Sequence, residues 1–244
     1  MSALIEARYN GPAASANGGY ACGTFAALTA APAAVTLHLP PPLGVPLTAE
    51  PAGRRTHVWN GDDLVATVAA AAGDVPIVPP VPAEVAEACQ SDFGGRAFHP
   101  FPSCFVCGLD RADGLNLRPG PVPGRHGTVA CTWQPDASLA GPGGTVRPEA
   151  VWAALDCPGG WTTDPARQAR VLGRMTARIA VTPILGERCV IVGRSDPGQG
   201  RTLTSHTALY RDDGTLLAGA SAIWVAITAG DVPSPRASAQ RPSR

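Results

Sequence analysis

Asn17-Gly18-Gly19 is the stretch best suited to chemistry, because it precedes an Ala-rich run that favours a helix. Asn is a preferred N-cap residue, and the backbone amides of a first helical turn have no partner within the helix. These amides carry the positive end of the helix dipole, so they can stabilise a carbonyl oxygen that gains negative charge. Glycine lets such an oxygen approach closely. A plain turn with an N-cap is the alternative interpretation.

Cys104-Phe-Val-Cys107 is a second suggestive spacing. A single C-x-x-C pair supplies two of the four ligands of a tetrahedral zinc site. His99 and Cys89 lie upstream and offer further ligands, but their spacing matches no standard zinc motif. A redox pair is another alternative, and packing of an apolar strand start is the interpretation that the neighbouring residues favour. We therefore predict no metal and no cofactor.

The elements that position these residues follow from the Pro and Gly punctuation. In the first part, a helix is predicted after Asn17, from Gly18 to Ala31, because Pro32 ends it. Asn60-Gly61 between apolar runs is a strong hairpin signal. The predicted strands are Ala34–Leu39, Leu47–Ala52, Arg55–Trp59 and Leu64–Ala71.

The second part repeats this order. A strand is predicted at Thr128–Trp133, and a helix opens at Pro148, a good first helical residue, and runs to Pro158. A hairpin turn is predicted at Arg211-Asp212-Asp213-Gly214. The further predicted strands are Gly173–Thr182, Arg188–Gly193, Thr202–Tyr210 and Thr215–Ile227.

One helix followed by an antiparallel meander, twice over with a period near 130 residues, predicts an α+β fold made by fused duplication. Residues 1–72 and 104–230 form the two halves. Residues 73–103 are rich in Pro, with one helical patch at Ala83–Cys89, and we expect a connector without a core of its own. The tail 231–244 is Pro, Ser, Ala and Arg, and we expect disorder there.

Asn17-Gly18-Gly19 before an Ala-rich helix and a meander resembles the hotdog-fold acyl-CoA thioesterases of the phenylacetyl-CoA thioesterase type. The resemblance covers roughly residues 3–72 and 104–228. It implies a double hotdog, in which two antiparallel sheets each wrap around a central helix. In that family the helix opens with a His-Gly-Gly-like turn, and a carboxylate lies about two turns further on. The active site joins the glycine turn of one subunit to the carboxylate of the other.

The two functional elements of the family, the glycine turn and the carboxylate, fall in different halves of this chain. Asn17 stands in place of the family's His, and the carboxylate position of the first helix is Ala26. In the second helix Asp156 takes the carboxylate position, but Pro148, which has no amide hydrogen, replaces the glycine turn. The resemblance thus implies one composite site in each chain, a pseudo-dimer, and a second, non-functional site that pairs Ala26 with Pro148.

Roles in the composite site follow from the needs of thioester hydrolysis. The amides of Gly18 and Gly19 would stabilise the oxyanion, and Asp156 would act as general base or nucleophile. We expect burial on an apolar helix to raise the pKa of Asp156. Asn17 would orient the water or the acyl carbonyl. A purely structural Asp156, capping the Pro-Gly-Gly turn, is the alternative.

Asn10 and Thr176 are the predicted substrate-binding residues. Asn10 lies seven residues before Asn17, where the family often has an Asn, and Thr176 follows the second helix on a strand where the family can place a hydroxyl. An ordinary turn residue and an ordinary strand residue are the respective alternatives.

Composition limits the possible partners and location. The formal net charge is zero and no basic stripe is present, so we expect no nucleic-acid partner. No apolar run suits a signal peptide or a membrane span, and seven Cys fit free thiols in a reducing compartment. We therefore expect a cytoplasmic protein that hydrolyses an acyl-CoA or acyl-carrier thioester, with possible homo-oligomers. A non-catalytic acyl-CoA or lipid-binding protein is the alternative. A hydratase is disfavoured, because no Asp-x₄-His motif lies near either helix.

Overall fold

A computed structural model describes residues 1–29, 32–196 and 200–228. Within these ranges eleven strands form one antiparallel sheet that packs with three α-helices. In chain order the elements are β1 (Ser2–Ala3), α1 (Gly18–Ala26), β2 (Ala33–Leu37), β3 (Leu47–Ala52), β4 (Arg55–Asn60), β5 (Asp63–Ala70), α2 (Ala83–Cys89), β6 (Gly120–Pro121), β7 (Thr128–Trp133), α3 (Pro148–Gly160), β8 (Arg170–Ile179), β9 (Cys189–Ser195), β10 (Thr202–Arg211) and β11 (Leu216–Ala226).

The sheet contains the same five-stranded arrangement twice. The strand order is β1-β3-β4-β5-β2 in the first half and β7-β9-β10-β11-β8 in the second, with β6 added at the far edge. The strands that follow the two helices, β2 and β8, join the halves, with Val35 opposite Met175. The predicted α+β class, with two helix-and-meander units joined edge to edge, is therefore confirmed.

Successive side chains along the strands point to opposite faces of the sheet, and each face carries an apolar layer. The core between the sheet and helices α1 and α3 contains Ile191 and Leu209, both fully buried. Their neighbours Val190, Val192 and Ala208 point to the opposite face of the sheet, as the period of two requires. On that face they pack against α2.

The connector between the halves shares a second apolar cluster with the sheet of the second half, whereas the expectation that it has no core of its own stays a prediction. It passes over the face opposite α1 and α3, where Val78, Val81 and Ala86 are buried. The Tyr210 hydroxyl of β10 donates to the Val78 carbonyl. The second half needs this cover because the outward side chains of β7, β9 and β10 are apolar.

Helix α1 packs directly against α3 through glycines. A Cβ at Gly19 would lie 2.7 Å from the Trp152 carbonyl oxygen, and one at Gly23 would lie 2.8 Å from Glu149 Cα. The two glycines are one helical turn apart, so they share a face of α1. Their missing side chains allow the two backbones to approach, which brings the start of α1 to the last part of α3.

Most element bounds match their predictions within a few residues, but α1 is shorter than expected. It ends at Ala26 and not at Ala31, since the chain must turn there for β2 to start at Ala33 and pair with β5. Tertiary pairing thus overrides the helix propensity of the Ala-rich run. The predicted disordered tail lies outside the described residues. Among the described helices none has the length and apolar content needed to cross a membrane.

Replacement of Gly23 by Ala tests the close helix contact. The change should destabilise the protein by roughly 1–3 kcal/mol through overpacking, although Ala has the higher helix propensity. The matched control is Gly94→Ala, where the nearest atom to the new Cβ is 3.8 Å away. Urea unfolding of both variants measures the difference. A Gly23→Ala protein as stable as the control would contradict the packing described.

Candidate functional site

A cavity of about 320 Å³ lies between the start of α1, the end of α3 and the loop that carries the C-x-x-C sequence. Most of its wall is apolar, formed by Leu37, Leu39, Phe101, Trp161, Leu172 and Trp224. One part of the wall concentrates the polar and nucleophilic groups, namely Asn17, Gly18, Cys104, Cys107, Asp156 and Cys157. An apolar chamber with few converging polar groups is the usual form of a small-molecule site.

Asn17 uses both ends of its side-chain amide. Its Oδ1 accepts from the backbone N–H of Tyr20 at 2.9 Å, which caps α1. Its Nδ2 donates to Oδ2 of Asp156, also at 2.9 Å. Asn17 therefore is the N-cap that the turn interpretation proposed and is also a direct contact of Asp156.

Asp156 is held at one oxygen and unpaired at the other. Its Oδ2 accepts from Asn17 and from the backbone N–H of Gly19 at 2.9 Å. Its Oδ1 is buried without a hydrogen-bond partner among the described residues. Desolvation raises the pKa of Asp156 to about 7 and the nearby Cys104 adds to the rise, whereas the bonds from Gly19 and Asn17 oppose it.

The position of Asp156 near the end of α3 is unfavourable with respect to that helix's own dipole. The structure resolves this, because the carboxylate contacts the N-terminus of α1, where the dipole favours negative charge. The Gly19 amide is therefore occupied by Asp156. The Gly18 amide has no hydrogen-bond partner among the described residues, and Gly18 lines the cavity. Of the two predicted oxyanion donors, only Gly18 is available to a ligand.

The symmetry-related position between the halves holds a second cavity, of about 470 Å³. Ala26 and Pro148 lie in its wall, where the first cavity has Asp156 and Gly18. Arg147 is the residue before α3, and its side chain makes no capping bond. Of the described residues that line this second cavity, none carries a carboxylate.

Asn10 and Thr176 are not brought to the cavity. The Asn10 side chain is buried against the C-x-x-C loop, where it donates to Ser103 and accepts from Arg111 at 2.7 Å. Thr176 lies on β8 between Met175 and Ala177, which face the helices. Strand alternation therefore directs Thr176 to the opposite face of the sheet, so neither residue lines this cavity.

Three cysteines meet beside Asp156, a feature that the sequence did not predict. The Sγ atoms of Cys104, Cys107 and Cys157 all lie within 4.8 Å of one another, and all three residues are buried. The third sulfur belongs to Cys157. Cys89, one of the upstream residues that offered a further ligand, is part of α2 and packs on the other face of the sheet. His99 is engaged by backbone at both nitrogens, with Cys107 O and Phe101 N. Cys104 and Cys157 are 53 positions apart, so no local sequence motif connects them.

An aromatic group fixes the C-x-x-C loop to the start of α1. Phe105 is fully buried and packs edge-on against Tyr9 and Tyr20, whose rings stack with centroids 3.8 Å apart. The Phe105 amide also donates to the Asn10 carbonyl at 2.8 Å. These contacts position Cys104 and Cys107, on either side of Phe105, at the cavity wall.

Comparison with known proteins defines the fold. No family model and no curated protein matches the sequence. The chain is similar to a conserved protein of unknown function with a hot dog fold from Alicyclobacillus acidocaldarius, at 16% identity and a TM-score of 0.58, covering 93% of this chain and 92% of that one. It is also similar to the tesB protein of Mycobacterium avium subsp. paratuberculosis, at 15% identity and a TM-score of 0.55, covering 89% of each chain. The chain thus has a double hotdog fold, as the resemblance implied.

A double-mutant cycle tests the bond between Asn17 and Asp156. Asn17→Ser keeps a capping oxygen but removes the amide nitrogen that reaches the carboxylate, and Asp156→Ala removes the acceptor. We expect a coupling free energy of about 1–3 kcal/mol in urea unfolding, as for hydrogen bonds to charged groups. Asn17→Ser combined with Cys131→Ser, a buried site elsewhere in the core, is the control and should be additive. Additivity in the Asn17–Asp156 cycle would refute the contact.

Proposed function

We propose that the protein hydrolyses an acyl thioester, of coenzyme A or an acyl carrier, at one composite site between its two halves. The observation that carries the proposal is the Asp156 carboxylate, in a residue that lines an apolar cavity. One of its oxygens is anchored on the N-terminus of α1, and the other is buried without a hydrogen-bond partner among the described residues. A buried, desolvated carboxylate costs stability, so its retention beside a cavity suggests a chemical role.

The Gly18 amide is the proposed oxyanion donor. It has no hydrogen-bond partner in the described ranges and lies in the first turn of α1, so its N–H and the helix dipole both favour an oxygen that gains negative charge. Gly18 is also confined, since a Cβ there would lie 2.7 Å from Leu172 Cβ. A larger residue would displace Leu172 into the space where the thioester carbonyl must approach.

Asp156 is the proposed general base. As water adds to the carbonyl carbon, Oδ1 takes one proton from it, and the carbonyl oxygen becomes the oxyanion at Gly18. Collapse of this intermediate breaks the carbon–sulfur bond. The leaving thiolate then takes the proton that Asp156 received, so the carboxylate is regenerated and the products are a carboxylic acid and a free thiol. Asn17 and Gly19 hold Oδ2 throughout, so Oδ1 is the carboxylate oxygen that we assign to the base.

The cavity limits the class of acyl group. Its apolar wall of leucine and aromatic side chains favours a hydrocarbon or aromatic acyl group over a charged one. His38, Gln168 and Arg170 also line the cavity, and they are the polar side chains that we propose for contact with the carrier portion of the substrate.

We further propose that the two halves, with their boundaries at residues 1–72 and 104–230, arose by duplication. Equivalent backbone features recur about 130 residues apart: the bridge Asn10–Ala16 corresponds to Ala140–Val146, and the capping position of Asn17 corresponds to that of Arg147. Loss of the carboxylate from one half and of the glycine turn from the other leaves one complete set of groups.

Steady-state hydrolysis of a panel of acyl-CoA esters, followed with a thiol reagent, tests the function. Asp156→Asn should lower kcat by about 10²–10⁴-fold with little change in binding, as expected for loss of a positioned base. Ala26→Asp is the matched control, because it places a carboxylate at the equivalent point of α1, opposite Pro148. It should not add a second activity.

Full turnover in Asp156→Asn would refute the mechanism. Tight binding of acyl-CoA esters by the wild-type protein, without hydrolysis of any member of the panel, would instead identify an acyl-CoA-binding protein.

A further inference from the structure

We infer that Cys104, Cys107 and Cys157 form a binding site for one thiophilic metal ion of the Zn²⁺ type at the wall of the cavity. The inference does not depend on the proposed hydrolysis. It rests on three sulfurs from two separate segments, the C-x-x-C loop and helix α3, that converge on one point in the described structure.

The spacing of the sulfurs suits a shared ion. In a tetrahedral site with Zn–S bonds of about 2.3 Å, neighbouring sulfurs are about 3.8 Å apart. Cys104 Sγ and Cys157 Sγ are 3.8 Å apart, and the Sγ of Cys107 completes a group within 4.8 Å. A disulfide, by contrast, requires sulfurs about 2.05 Å apart, and all seven cysteines are free thiols.

The surroundings of Cys104 suit a thiolate. Asn17 Nδ2 lies 3.9 Å from Cys104 Sγ and 3.8 Å from Cys157 Sγ. This N–H donor can stabilise negative sulfur in the way that outer-shell donors support metal ligands.

The loop backbone is fixed around the second cysteine as well. His99 Nε2 lies 3.1 Å from the Cys107 carbonyl oxygen, and the Arg118 guanidinium donates to the same oxygen at 3.2 Å. A Cβ at Gly108 would come within 2.6 Å of the Cys104 backbone nitrogen, so the tight turn after Cys107 requires glycine. The turn is therefore held in one shape by groups other than the sulfurs themselves.

The fourth position of the ion would open to the cavity. All three cysteines line it, so an ion can enter and a water can complete the tetrahedron. Three thiolates without a fourth ligand from the described part of the chain form an open site, in contrast to the closed four-ligand sites that only support a fold.

Metal binding by the reduced, full-length protein tests the inference. After chelator treatment under anaerobic conditions, titration with Zn²⁺ should show one ion per chain, with a dissociation constant of about 1 µM or tighter. Co²⁺ in its place should give the intense sulfur-to-metal absorption of a tetrahedral thiolate site. Cys107→Ser and Cys157→Ser should each weaken Zn²⁺ binding by at least about tenfold to a hundredfold.

Cys131→Ser is the matched control, since Cys131 is fully buried in the same core but lies outside the group of three sulfurs. It should bind Zn²⁺ as the wild type does, and circular dichroism of every variant excludes loss of the fold as the cause. Asp156→Asn should also keep its zinc, which separates this result from failure of the hydrolase proposal. The inference would be overturned if the wild type bound no Zn²⁺, or if Cys107→Ser and Cys157→Ser bound it as tightly as the control Cys131→Ser. Loss of two thiols on air oxidation in place of metal uptake would also overturn it.

Discussion

The contact between the Asp156 carboxylate and the N-terminus of α1 is the interaction on which the rest of the site depends. A carboxylate that is 2% exposed is stable only if its charge is compensated. Two N–H donors and the positive end of a helix dipole supply this compensation at Oδ2, whereas Oδ1 has none among the described residues. The protein thus compensates the charge of a buried acid at one oxygen only, in a residue that lines the cavity.

This contact explains several features of the fold that would otherwise be unrelated. Gly19 and Gly23 lack side chains because α1 must lie against the backbone of α3, and that approach brings the Gly19 amide to Asp156. The continuous sheet serves the same end, since pairing of β2 with β8 fixes the two halves, and hence their helices, in one register. The Asn17 side chain then joins the halves directly, with its oxygen on α1 and its nitrogen on Asp156.

Local signals in the sequence predicted the fold well. Pro148 marks the start of α3, Asn60-Gly61 marks the β4–β5 hairpin, and β3 and β7 have the bounds predicted. The end of α1 was predicted too late, because sheet pairing and not propensity decides where an Ala-rich helix stops. The packing of the connector was also missed, since the apolar residues between its prolines have no periodicity that reveals a partner.

The site was less accessible to sequence reasoning. The resemblance to a known family selected Asn17, Gly18, Gly19 and Asp156, which do meet, but no local pattern shows that Gly19 serves the carboxylate and leaves Gly18 unpaired. Asn10 and Thr176 had the right spacing, yet Arg111 occupies the first and strand alternation turns the second away. The meeting of Cys157 with Cys104 and Cys107 depends wholly on tertiary structure.

The most direct test of the composite site is a crystal structure with an uncleavable analogue of an acyl-CoA that the protein hydrolyses. In this dethia analogue a methylene replaces the thioester sulfur and the carbonyl remains. The account predicts one ligand per chain, with its carbonyl oxygen about 3 Å from the Gly18 amide nitrogen and its carbonyl carbon facing Asp156 Oδ1. Ligands in both cavities, or an acyl group bound only in the cavity formed by Ala26 and Pro148, would contradict it.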